Sequence, residues 1–598
     1  MTVPIEDYAL LSDSRTAALV SRDGSIDWLC APRLDAPSFF GALLGDEEHG
    51  HWSLRPADPF ATATRHYDDD TFGLCTRWET SEGIAEVWEW MPIGPDGATG
   101  AERTDVVRRI TGVRGSVRFV QELRLRFDYA RAVPWVRQTG TAAAPELTAT
   151  AGPDAVVVRG AALHPHGRSH TGEVDVVEGE SRELVLTWFP SYRPAPPALD
   201  ADEADRAMKR WWHDWAAAIG HTGPFRAEVR RSLLILRALT NRETGGIAAA
   251  ATTSLPEDFG GERNWDYRFV WLRDAALTLE ALLAHGPGTE ALAWRDWLLR
   301  AVAGDPADVQ IMYGLAGERD LLERELWSLP GYAHSTPVRV GNGAAQQYQA
   351  DVIGEVMVTL AAARRAGLGE SPRSWSLQRM LLRHAEQELD RPDNGMWEIR
   401  ADPHLFTHSR VMLWAAFDRG VRAVEEDRLD GPVEHWRGLR DRLKAEIDER
   451  GVRDGRFVQH EDTDETDAAL LLIPRTGFCA PDDPRMLGAV AQIEKDLMRD
   501  GLLLRYRTTS GVDGLRGGEH PFLACSFWLV EQYAVTGRRK DAEALMTRLC
   551  SLANDVGMLS EEYDPIGRRQ VGNTPQAFSH LSLVRAADAL AAGRHRKR

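Results

Sequence analysis

Cysteine is scarce in this chain and shows no pairing: Cys30, Cys75, Cys479, Cys525 and Cys550 are an odd, scattered set without a C-x-x-C pair. That pattern speaks against a disulfide frame or a zinc site, and the expectation is reduced, buried thiols in a cytoplasmic protein. Long apolar runs are missing too. No stretch approaches the roughly 20 apolar residues that cross a bilayer, so no membrane partner is expected. Met1 to Asp7 has no basic stretch followed by an apolar one, so no secretory signal is read there. Positive charge is in deficit: the formal net charge is -19, which would repel the phosphates of nucleic acid. The basic tail, Arg594 to Arg598, reads as a solvated end. No G-x-G-x-x-G follows a strand and no P-loop occurs, so a nucleotide site is not expected. His164, His166 and His170 lack the spacing of a zinc-binding helix and read as a surface loop. The expected metal complement is none.

Tryptophan, by contrast, is abundant, with 20 residues among 598. Flat indoles serve two ends: they fill cores, and they stack on the apolar faces of pyranose rings at low entropic cost. The length implies about two to four domains.

The first 190 or so residues read as β. Leu123, Leu125 and Phe127 alternate with Arg124 and Arg126, Val156 to Val158 form a β-branched run, and Leu184, Leu186 and Trp188 alternate again. Turn signals such as Arg22-Asp23-Gly24-Ser25 and Gly94-Pro95-Asp96-Gly97 punctuate this half, which suggests an antiparallel β-sandwich. Pro190, Pro194, Pro196 and Pro197 mark a linker, followed by a helix from Asp202 to Ile219. From about Phe225 onward, apolar stripes recur at helical spacing, as in Val411, Trp414, Phe417, Val421 and Val424. Segments 225–241, 271–286, 288–303, 345–367, 374–389, 406–426, 431–450, 465–474, 481–497, 520–537, 539–553 and 575–592 read as helices. No repeat of fixed period accompanies them, which speaks against a solenoid and for a closed double ring of six helix pairs. The expected division is 1–195 sandwich, 196–223 linker with helix, and 224–598 all-α barrel.

Four segments concentrate polar and aromatic side chains. From Glu262 to Asp274 the chain packs Arg263, Asp266, Arg268, Arg273 and Asp274 among Trp265, Tyr267, Phe269 and Trp271. Charges this dense are costly to bury unless paired. They form either a network capping the next helix or a cradle of fixed donors and acceptors for vicinal sugar hydroxyls. From Asp393 to Arg400 a turn delivers Trp397 and Glu398. A carboxyl against an indole in a dry site holds its proton to higher pH, as a general acid must, although Glu398 could instead pair with Arg400. Glu561, Glu562 and Asp564 cluster after Ser560. They are a solvated face unless one of them opposes Glu398. An inverting glycosidase needs such a pair, an acid for the leaving oxygen and a base for water, with carboxyls roughly 6.5–9.5 Å apart. Finally, Val340 to Asp351 is rich in amides, including Gln349, at a helix start, suited either to hydroxyl recognition or to capping.

Together these segments resemble glycoside hydrolase family 15, the glucoamylase and trehalase family, over nearly the whole chain. Ile5 to Asp13 and Asp23 to Cys30 are similar to the N-terminal domain of its bacterial trehalase-like branch. Asn264 to Tyr267 with Trp271 to Asp274 match the family's substrate-binding segment, Trp397-Glu398 its acid segment, and Ser560-Glu561-Glu562 its base segment. Phe522 to Trp528 and Gly572 to His580 also look like family segments. The resemblance implies an N-terminal antiparallel β-sandwich followed by an all-α (α/α)6 barrel, and exo-cleavage of an α-glucoside with release of β-glucose. It implies Glu398 as general acid and Glu561 as general base. Tyr267, Trp271, Arg273, Asp274, Trp397, Arg400, Glu562, Gln349 and Phe578 are the implied substrate-binding residues. Asp274 would accept from two hydroxyls, and a sugar lacking them would leave a buried carboxylate short of partners.

Two departures stand out. Starch-acting members place a second acid directly after the general acid; here Ile399 and Arg400 follow, so the next-sugar subsite is built differently. Gly518 to Phe522 replaces the more usual Glu-Gly-(small)-Phe run, and His520 stands either at the pocket mouth or as a cap of the next helix. The N-terminal segment and Ile399 favour trehalose as substrate. A glucoamylase or α-glucosidase on α-1,4- or α-1,6-linked gluco-oligosaccharides, a phosphorylase and a silent carbohydrate-binding protein are the other readings. No cofactor is required by the chemistry. Dependence on phosphate and magnesium, and a homo-oligomeric state, stay open, because no motif marks either.

Overall fold

The computed structural model describes residues 2–94, 102–141, 144–286, 288–304, 308–515 and 517–595. The turn expected over 95–97 and the end of the basic tail lie outside these.

Alternation in the first 190 residues builds two antiparallel sheets that share one long strand, Thr104–Arg124. Its first half pairs with Gly83–Trp90 on one side and with Ser181–Pro190 on the other. Its second half pairs with His51–Pro56 and Ser169–Val177. The changeover falls at Gly115, which sits at φ +65 with the carbonyl oxygen of Glu82 only 2.3 Å from where a Cβ would stand. A side chain there would clash, so the strand can pass between sheets only on glycine. The histidines expected in a loop form the edge of this sheet: His164–His166 pairs with residues 169–171.

Between the sheets lies a charged pair. Arg108 is fully buried, binds Glu89 at 2.7–2.8 Å, donates to the carbonyls of Trp52 and Gly24, and lies over the Trp52 ring. Three acceptors satisfy one guanidinium, which is what makes its burial tolerable. Arg108→Leu strands Glu89 as a lone buried charge and should destabilise the fold by about 3–5 kcal/mol, read as a lower denaturation midpoint with an unchanged m-value. An unchanged midpoint would contradict this.

After the linker, Ala201–Ala217 (α1) is capped by Asp200, whose side chain accepts from Glu203 N. Among the described residues eleven further α-helices follow: Arg226–Leu239 (α2), Leu272–His285 (α3), Thr289–Ala301 (α4), Asp351–Arg365 (α5), Pro372–Gln387 (α6), Thr407–Glu425 (α7), Val433–Arg450 (α8), Pro484–Leu497 (α9), Leu523–Val535 (α10), Arg539–Cys550 (α11) and Ala577–His595 (α12). A 3-10 helix, Ala468–Thr476, stands between α8 and α9. In space α3, α5, α7, the 3-10 helix, α10 and α12 touch in that order, and α12 returns to α3. This closes an inner ring of six, and the other barrel helices pack outside it. Composition follows position. Inner α7 is buried at every residue from Thr407 to Val421, whereas outer α8 buries Trp436, Leu443 and Ile447 only. A helix covered on all sides must be apolar or internally paired all round, and an outer one needs a single stripe.

Two expected helices differ. The 465–474 segment is 3-10 and not α, since in an α-helix the ring of Pro474 would clash with the carbonyl four residues back. The 345–367 segment is broken: a 3-10 turn, Gly343–Gln346, capped by Asn342, precedes an extended Gln347, and α5 begins at Asp351.

The sandwich is bolted to the barrel through the Arg- and Asp-rich segment. Arg268, fully buried, chelates Asp266 at 2.7 and 2.8 Å, then donates to Leu34 O, Ala36 O and the Tyr129 hydroxyl. Trp28 of the sandwich donates its indole N–H to Ala251 O at 3.1 Å. Half of the suspected sugar cradle is therefore a domain joint.

Candidate active site

The other half of that segment faces a pocket at the N-terminal ends of the inner helices. Tyr267, Trp271, Arg273, Asp274, Trp397, Glu398, Arg400, Glu561 and Phe578 all line it. Gln349 and Glu562 stand behind the wall: Gln349 accepts from Arg273 Nη1 at 3.2 Å, and Glu562 accepts from the His520 backbone N–H at 2.9 Å.

Glu398 arrives on the tight turn that the sequence shows. Asn394 holds the turn from both ends, donating from its amide to Ile399 O at 2.8 Å while Ile399 N returns to Asn394 O at 3.0 Å. Glu398 itself sits at φ +61, a left-handed conformation that costs a non-glycine residue about 1 kcal/mol or more. The Gln347 amide clamps it by donating to the carbonyls of Glu398 and Ile399 at 3.2 Å each. The strain aims the carboxyl at Trp271, whose indole N–H donates to Oε1. Arg273 Nη2 lies 3.6 Å from the same oxygen. Burial raises the proton affinity of Glu398; Arg273 opposes this, Asp274 adds to it, and the Trp271 hydrogen bond opposes it. With Oε1 occupied by donors, the proton belongs on Oε2.

Glu561 opens a β-hairpin, Glu562–Asp564 with Arg569–Val571. The hydroxyl of Tyr267 donates to Glu561 Oε1 at 2.8 Å, and Oε2 has no hydrogen-bond partner among the described residues. Gly572, at φ +79, leaves room for it: a Cβ there would stand 2.7 Å from Oε2. Tyr267 and Trp271 meet edge to face with centroids 5.5 Å apart. The two carboxyls are thus fixed by the polar tips of one aromatic pair.

Beside Glu561 lies a buried acid cluster that sequence reasoning missed, of which Glu257, Arg263 and Arg505 line the same pocket. Arg505 binds Glu257 at 2.9 Å and Glu519 at 2.6 Å, and lies 3.6 Å from Glu562. Arg263 binds Asp513 at 2.6 Å. Burial and then the Glu257 charge raise the proton affinity of Glu561; Arg505 and the Tyr267 hydrogen bond lower it, and Glu519 raises it again. Glu257→Gln removes a negative neighbour, so Glu561 ionises at lower pH. The acid-side limb of kcat/KM should move to lower pH; a limb that stays or moves up would contradict the electrostatic reading.

At the mouth, Arg400 stacks over Trp265 at 4.1 Å and binds Glu323 at 2.9 Å, while Arg339 lies over Trp265 at 4.6 Å. Glu398 therefore does not need Arg400 as its ion pair. Ile399 turns inward, 1% exposed, against Phe406 and Tyr506. His520 does not cap α10, which has no side-chain cap. Its ring lies 3.7 Å from Asp258 and 3.8 Å from Asp564.

A ring of six helix pairs whose pocket sets two carboxyls on an aromatic pair, with an Arg–Asp couple beside them, defines the (α/α)6 class of glycoside hydrolases. The family profile "Glycosyl hydrolases family 15" matches residues 223–548 and 539–588, and a profile described as "Trehalase-like, N-terminal" matches residues 1–187. The chain belongs to glycosyl hydrolase family 15. A trehalase of Mycobacterium tuberculosis is 37% identical over 614 residues, covering 98% of this chain and 89% of its own. One of Thermoplasma acidophilum is 30% identical over 577 residues, covering 96% and 98%. In fold, the chain is similar to a bacterial glucoamylase crystallised with acarbose, with a TM-score of 0.75 at 12% identity, over 99% of this chain and 94% of that one.

Proposed function

We propose that this enzyme hydrolyses α,α-trehalose with inversion, Glu398 acting as general acid and Glu561 as general base. The observation that carries the mechanism is the fixing of both carboxyls by one aromatic pair, the Trp271 indole donating to Glu398 and the Tyr267 hydroxyl donating to Glu561. Glu398 Oε2 delivers its proton to the bridging oxygen as the C–O bond breaks. Glu561 takes a proton from the water that attacks the anomeric carbon from the opposite face. The positive charge developing on the sugar ring is balanced by Asp274 and by the ionised base, and the aromatic walls keep bulk water away. Arg273 and Asp274 hold the hydroxyls of the cleaved glucose. Arg273 is itself fixed by Asp274 at 3.0 Å, by Gln349, and by the Met396 carbonyl at 2.6 Å. Tyr267, Trp271, Trp397 and Phe578 wall that sugar, Arg400 on Trp265 faces the second one, and Glu562 acts through its neighbour Glu561.

Trehalose is favoured over maltose-type glucans by the trehalase relatives that share nearly the whole chain, and by the inward Ile399, which leaves Arg400 and not an acid to meet the leaving sugar. The likeness to a glucoamylase speaks for fold alone. The five cysteines are all free thiols, which fits a cytoplasmic setting. The deciding experiment is glucose release from trehalose, maltose, isomaltose and starch in parallel, each with and without phosphate and magnesium. Release from trehalose alone supports the proposal. Release from a glucan with trehalose inert would keep the acid–base pair and overturn the substrate. Glucose 1-phosphate formed with phosphate would make it a phosphorylase.

A further inference from the structure

At the far end of the barrel three side chains from three segments converge. His221 lies in the connection from α1 to α2, His285 ends α3, and Asp588 lies on α12. His221 Nδ1 stands 3.2 Å from Asp588 Oδ1, and His285 Nε2 stands 3.0 and 2.9 Å from the two oxygens of the same carboxylate. The rings meet edge to face, with centroids 5.2 Å apart. The His221 side chain is 3% exposed and that of Asp588 35%, so the cluster is shielded on one side and open on the other.

The decisive contact is on the other nitrogen of His221. Nε2 stands 3.1 Å from the carbonyl oxygen of Pro224, which can only accept, so Nε2 carries a hydrogen. In the neutral ring Nδ1 then holds a bare lone pair, and that lone pair faces a carboxylate oxygen. Two acceptors do not rest 3.2 Å apart without a positive centre between them. A proton on Nδ1 would supply one; so would a metal ion. Backbone-anchored imidazole, with the free nitrogen aimed at a shared centre, is the outer-shell arrangement of metal-ligating histidine. Ligand atoms around a tetrahedral ion bound at 2.0–2.1 Å stand about 3.3 Å apart; the imidazole-to-carboxylate distances here are 2.9–3.2 Å, and all three ligands come within 4.8 Å of one another. The other His-containing cluster lacks this convergence: His404 and His460 stack face to face at 4.1 Å, so their nitrogens lie in parallel planes.

We propose that His221 Nδ1, His285 Nε2 and the Asp588 carboxylate form a structural site for a first-row divalent ion, zinc being the best match to two imidazoles and one carboxylate. The site is remote from the chemistry. Arg273 lies twelve residues before His285 on α3, about 18 Å along the axis at 1.5 Å per residue. The ion staples the segment entering the barrel to the two inner helices that carry Arg273, Asp274 and Phe578. It takes no part in hydrolysis.

The test uses the purified full chain, stripped with EDTA, dialysed, and titrated with zinc chloride, with bound metal and thermal midpoint measured together. One zinc per chain and a midpoint raised by several degrees are expected, both lost in His285→Gln and in Asp588→Asn. Cobalt(II) in place of zinc should give the intense visible absorption of a low-symmetry four-coordinate site, which decides the matter on the wild type even if a variant fails to fold. A wild type that takes up no metal and melts alike with EDTA or zinc would overturn the proposal and leave a doubly protonated His221 paired with Asp588. Zinc binding that persists unchanged in both variants would overturn it too, by placing the ion elsewhere.

Discussion

Glu561→Gln should lower kcat on trehalose by roughly 10²–10⁴-fold, about 3–5 kcal/mol of barrier, while the protein keeps its fold. The amide preserves volume and the acceptor for the Tyr267 hydroxyl, and removes only the ability to take a proton from water. Stability should not fall. Glu561 is a buried acid with one unpartnered oxygen and acid neighbours at Glu257 and Glu519. Neutralising it relieves repulsion, so the thermal midpoint should stay level or rise. A lost rate with an undiminished midpoint separates chemistry from unfolding. A variant with near wild-type turnover would remove Glu561 from the role of base.

Glu398→Gln should cost a comparable factor on trehalose and far less on α-glucosyl fluoride. Fluoride departs without a proton, so a missing general acid matters only where the leaving group is a sugar alkoxide. Glu561→Gln should fail on both substrates, since water must be activated in either case. The two variants thus have different signatures, and an exchange of signatures would exchange the assigned roles. Glu398 also carries the left-handed backbone of its turn, so the side chain must be changed without altering the clamp from Gln347.

Much of this was legible in the sequence. Period-two alternation and period-3.6 stripes mark the sandwich and the twelve barrel segments, and failures came where local chemistry overrides the stripe, at Pro474 and before Asp351. Within the site, aromatic and charged residues crowded into short segments betrayed Tyr267, Trp271, Arg273, Asp274, Glu398 and Glu561. The same crowding also flagged Asp266 and Arg268, which serve the domain joint; composition cannot say which way alternate side chains point. Glu257, Arg505 and Glu519 escaped because each stands in a loop with no aromatic–charge crowding like that around Glu398. Their meaning lies in a contact that joins positions 257 and 505, far apart along the chain. The run from Gly518 to Phe522 marks Glu519, whose side chain is buried against Arg505. Trp265 and Glu323 likewise gain their role only from Arg400, which lies between them.

The most direct test of the account is the anomeric form of the first glucose released. Trehalose joins two α-anomeric carbons through one oxygen. Attack by water with inversion turns the cleaved sugar into β-glucose, while the leaving sugar keeps its α configuration. Proton NMR of the early reaction, before mutarotation, should therefore show α- and β-glucose in equal amounts. Early product that is α-glucose alone would mean retention, and would contradict a mechanism in which Glu561 activates water against Glu398.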